Sequence, residues 1–142
     1  MIRDVVAVGM GIVLAVNAAM MLVVPHLWYA SVPGVVEHGP FNAHFIRDIG
    51  ALGAVTSVVV TGSALLRWNL VSALWTVAAL AVIHGVIHLC DSLTGPEPIA
   101  SILREIPVVY IPAAIITWLA IEQRTTSSRV HKPTLLRGHL RR

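Results

Sequence analysis

Charge is what this chain has least of. Charged residues make up 12% of its 142 positions, about half the share of an ordinary soluble domain, and mean hydropathy reaches +0.80. That balance excludes a soluble globular enzyme or a nucleic-acid-binding domain and marks an integral membrane protein. Cysteine is nearly absent too. With Cys90 alone, neither an internal disulfide nor a Cys-x-x-Cys metal or redox motif can form, and Cys90 is expected to pack as a small apolar residue. No Gly-x-Ser-x-Gly elbow occurs, which argues against a serine hydrolase.

What the chain does have is long apolar runs. Four of them fill it, and they predict an all-α membrane protein, a four-helix transmembrane bundle in one domain over residues 1–123, with spans at about 5–24, 43–66, 70–90 and 106–121. A span needs about 20 apolar residues. The first run, Val5 to Val24, exceeds the roughly 7 to 15 residues of a signal-peptide core, so it is expected to be a span. Pro25 stops it by lacking an amide proton, and Trp28 and Tyr29 follow as headgroup-level rings. Pro33-Gly34 and Gly39-Pro40 mark turns. Asn42 is placed to cap the second span, which ends at Arg67-Trp68-Asn69. Residues 99–105 are expected to lie at the interface, and Pro112 to kink the last and shortest span.

Basic residues set the direction. Arg3, Arg67 and six residues of the tail at 124–142 fall on one side, against Arg47 and Arg104 on the other. Eight against two predicts cytoplasmic termini, and a bacterial inner membrane as the location. The tail contains no acid and is expected to rest on anionic lipid, at about 1 kcal/mol per basic residue near the surface. Nucleic acid is not expected as a partner.

The topology brings ionisable residues to one depth. His44 and Asp48 share a face at the outer start of the second span, with Arg47 beside them; His84, His88 and Asp91, at i, i+4 and i+7, form one stripe at the outer end of the third. Such groups are costly in a bilayer and usually face a bundle interior, where they pair, carry protons or bind an ion. Small residues, Gly50 and Gly53 on one helix and Gly85 on the other, would let these helices approach closely.

Three readings stand. In the first, a transition metal (zinc, copper or iron) is held by His44, Asp48, His84 and His88, with Asp91 as alternate ligand; imidazole and carboxylate suit such ions. In the second, haem b sits between His44 and His84 or His88, with Arg47 meeting its propionates. In the third, the groups form a ligand-free network that neutralises itself or relays protons through histidine, whose ordinary pKa is near 6.5. The metal reading leads to a small metalloenzyme or to an accessory subunit, with a second copy or a larger membrane complex as partner.

A resemblance adds to this. The stretch Trp28-Tyr29 through Pro33-Gly34, then Gly39-Pro40-Phe41-Asn42-Ala43-His44-Phe45-Ile46-Arg47-Asp48-Ile49-Gly50, with the later His84-x-x-x-His88-Leu89-Cys90-Asp91, resembles a family of small four-span bacterial inner-membrane proteins with a GPFNxHFxRDxG motif. It implies one membrane domain and carries no catalytic role onto these positions.

Overall fold

The computed structural model describes residues 2–37, 39–66 and 71–130, with side chains as far as Gln123 in the last helix. Expectations that rest on residues 67–70 and on the side chains of the basic tail lie outside the described residues. The protein is an all-α four-helix bundle and a multi-pass membrane protein. Its helices are α1 (Ile2–Val23), α2 (Pro25–Ser31), α3 (Ala43–Leu65), α4 (Val71–Thr94), α5 (Pro98–Glu105) and α6 (Ile111–Val130). A 3-10 turn, Val35–Glu37, precedes α3, and a π turn, Ile106–Tyr110, joins α5 to α6.

Proline and side-chain caps draw these boundaries. Pro25 and Pro98 each open a short helix, where a missing amide proton costs nothing. Asn42 caps α3, its side chain accepting from the amides of His44 and Phe45 at 3.1 Å each. Two boundaries differ from the sequence expectation. α4 continues past Cys90 to Thr94, so Asp91 and Ser92 belong to the helix and not to a turn. The last stretch long and apolar enough to cross a membrane begins at Pro98 and runs to Gln123, not from residue 106. Residues 99–105 therefore continue without a break into the last apolar helix. The irregularity expected at Pro112 is the π turn just before it.

The helices pack as two pairs, α1 on α3 and α4 on α5 and α6, with slighter contact between the pairs. In lipid no hydrophobic force drives such packing, so close backbone approach must. A Cβ on Gly50 would lie 2.8 Å from Cβ of Met21 and 3.3 Å from the carbonyl oxygen of Ala18, and one on Gly11 would collide with Thr61. Glycine at these two positions is what lets α1 and α3 touch. A common core of Ala7, Met10, Val60, Leu74, Val77 and Ile116, with Leu119 and Ala120, unites the pairs at the end of the bundle that holds the N-terminus. At the opposite end the pairs are joined by an ion pair, Nη1 of Arg104 to Oε1 of Glu37 at 2.8 Å.

Candidate functional site

Glu105, at the last turn of α5, is the buried acid among the described residues, 5% exposed. The chain delivers it there by a tight reversal. Thr94 closes α4 by bonding back to the carbonyls of Cys90 and Asp91, and the amide of Gly95 donates to the Ser92 carbonyl at 3.3 Å. Pro98 then starts α5, which returns along α4 and sets Glu105 beside His88 and Ser92, one turn apart on α4.

The carboxylate is held on both oxygens. Nδ1 of His88 lies 3.0 Å from Oε1; the Ser92 hydroxyl donates to Oε2 at 3.0 Å and the Tyr110 hydroxyl to the same oxygen at 3.4 Å. Tyr110 reaches it from across Gly85 of α4. A Cβ on Gly85 would rest at 3.7 Å from the phenol ring, so the ring lies directly over α4. The π turn places Tyr110 five residues after Glu105 on the same side; single π turns of this kind concentrate at functional sites. His84, one turn deeper on α4, meets His88 edge-on with ring centres 4.6 Å apart. The result is a line of imidazole, imidazole and carboxylate within a span, fixed by a serine and a tyrosine. Each buried side-chain nitrogen or oxygen among the described residues has a partner.

Tyr110 also lines an apolar groove of about 210 Å³ with Val82, Gly85, Val86, Leu89 and Ala113.

The remaining residues singled out by sequence sit elsewhere. His44 and Asp48 pair with each other, Nε2 to Oδ2 at 3.5 Å, and are 90% and 61% exposed. Nε of Arg47 donates to the carbonyl of Leu22 at 3.2 Å. That carbonyl lies at the end of α1, where Pro25 prevents the helix from continuing, and a cation there satisfies it. Asp91 is exposed on α4, and Cys90 is exposed rather than packed. Asn17 accepts from the Trp28 indole at 2.8 Å, tying α2 to α1. The structure thus brings His84 to His88 and His44 to Asp48, but does not unite them. Among the described residues no three His, Cys, Asp or Glu side chains are grouped to hold a metal ion, and the five expected ligands do not form one coordination sphere in this arrangement.

Glu105, Ser92 and Tyr110 were not among the expected site residues. The signal for Glu105 was an acid seven residues into an apolar stretch that starts at Pro98. A scan against models of known families finds no match for this chain, and comparisons with curated proteins and with solved structures find none either.

Proposed function

We propose that the chain handles protons within the membrane, through an imidazole–carboxylate pair of His88 and Glu105 that His84 extends toward the bilayer centre. The observation that carries this reading is the burial of Glu105 with both oxygens hydrogen-bonded. A buried acid in a span is functional by default when a partner can exchange its charge, and an imidazole at 3.0 Å can accept its proton or return it. Ser92 and Tyr110 hold Oε2 and so keep Oε1 turned to the imidazole. His84 is the next acceptor along the line. In the orientation that the basic residues favour, the pair faces the outer half of a bacterial inner membrane and both termini are cytoplasmic. The four spans are largely uncovered, with 17% to 39% of each buried, which suits lipid, a second copy or neighbouring subunits of a larger complex.

Infrared difference spectra of the purified protein in lipid test this. A carboxyl band that titrates over the range in which the protein stays folded, disappears in Glu105→Gln and shifts in His88→Gln is expected. Absence of a titrating band assigned to Glu105 overturns the reading.

The apposition of His84 and His88 favours a second reading, a transition metal on these imidazoles. A metal-binding histidine commonly donates its other ring N–H to a carboxylate, which is the position of Glu105. Two imidazoles fall short of the three protein ligands of a catalytic zinc site, and His44, Asp48 or Asp91 would have to complete the set. Elemental analysis decides: stoichiometric metal in the parent that is lost in His84→Ala and His88→Ala supports it, and a parent without metal removes it. A Soret band lost in the same variants would assign haem b instead.

A further inference from the structure

We propose that the π turn at Ile106–Tyr110 is a register hinge that makes or breaks the Glu105–His88 contact, and that the Glu37–Arg104 ion pair holds it in its present setting. In the turn the amide of Ile111 donates to the carbonyl of Ile106, five residues back. Pro107 and Pro112, also five apart, flank that bond. Neither proline has an amide proton, so in an α register the carbonyls of Leu103 and Val108 would lack their helical donors and each ring would crowd the carbonyl four residues earlier. The prolines donate in neither register, so an α ladder here would be incomplete as well and gains little in bonds over the π turn. A π turn holds one more residue than an α turn. Converting one to the other turns the preceding helix by about 100° relative to the following one. Glu105 is the residue immediately before the turn, and Tyr110, which donates to it, ends the turn. A register change therefore swings the carboxylate away from both Tyr110 and α4.

The handle is next in sequence. Arg104 reaches out of α5 to Glu37 at 2.8 Å, and Glu37 belongs to the segment between α2 and α3, in the other helix pair. A displacement of that segment is thus passed through one residue to the acid of the site. This extends the proton-handling reading from the site to its control. Its test reads the His88 hydrogen bond itself, so a failed hinge and a failed proton site give different results.

The experiment uses the full chain, labelled with ¹⁵N-histidine, in lipid nanodiscs, with the His88 signal identified by its loss in His88→Gln. Glu105→Ala, which leaves no side-chain acceptor or donor opposite the imidazole, defines the position of the signal when the carboxylate bond is lost. In Glu37→Gln a second His88 population is expected at that released position, larger than in the parent by about two- to fivefold, the range over which an exposed ion pair can shift an equilibrium. Deleting Val108, which removes the extra residue of the turn, should move the whole signal there. Asp48→Asn, at an exposed pair on the same end of the bundle, should leave it in place. A single unmoved His88 signal in Glu37→Gln overturns the proposal whether or not the deletion variant folds, and so does a deletion variant that folds and keeps the bonded position.

Discussion

Replacing Glu105 by Ala and His88 by Ala, singly and together, isolates the contact on which the site depends. Each single change mixes the lost bond with the penalty of a partner left unmatched, and the double-mutant cycle cancels the second part. Two scales bracket the answer. Hydrogen bonds to charged groups contribute about 1.5–3 kcal/mol in soluble proteins. Interhelical hydrogen bonds in membranes average about 0.6 kcal/mol and reach about 1.7, because helices separated in lipid also find partners. The second scale governs, since α4 and the α5–α6 stretch would persist as spans when they part. The short distance, 3.0 Å, and the burial of Glu105 put this pair in the upper part of that scale, at about 1–1.7 kcal/mol. Reversible unfolding in mixed micelles, followed by fluorescence of Trp75 and Trp118 on the two helices concerned, measures it. Among the partners of the carboxylate, Tyr110→Phe should cost least, since its bond is the longest at 3.4 Å. Additivity of the two single changes within about 0.3 kcal/mol would refute the reasoning, because residues in a hydrogen bond that matters must couple.

Two further outcomes test the packing and the orientation. Gly50→Ala places a methyl group 2.8 Å from Cβ of Met21, an overpacking expected to destabilise by about 1–3 kcal/mol in the same unfolding assay; Gly9→Ala, which meets nothing within 4 Å, should leave the midpoint almost unchanged. With Cys90 replaced by Ser, Glu37→Cys should react with an impermeant maleimide in intact cells, as the eight-to-two distribution of basic residues requires. Labelling only after permeabilisation would turn the bundle over and direct the site to the cytoplasm.

The fold was legible because each feature that defines it is local. Apolar length marks the spans, Asn42 carries its own capping geometry, and Pro25 ends α1 wherever the chain goes next. The site was legible only in half. His84 and His88 are four residues apart on one helix, so their apposition follows from helical geometry. Their third partner depends on where the last helical stretch begins, and apolar length alone starts the last span at residue 106. That choice left Glu105 one residue outside the membrane stretch. The structure absorbs Pro107 into a π turn, which keeps the helix continuous from Pro98 and buries an acid expected at the interface. Ser92 escapes the sequence reading for the matching reason, since apolar length ends the third span at Cys90. The expected union of His44 and Asp48 with the α4 histidines failed on a different ground. Common depth follows from topology, but contact requires the two helices to be close at that depth, and α3 spends its small-residue face on α1. Gly50 and Gly53 meet Ala18 and Met21, so the close approach read from those glycines is real and involves the other helix. A residue pattern states how closely a helix can be approached; which helix makes the approach is decided by surfaces that lie far apart in the chain.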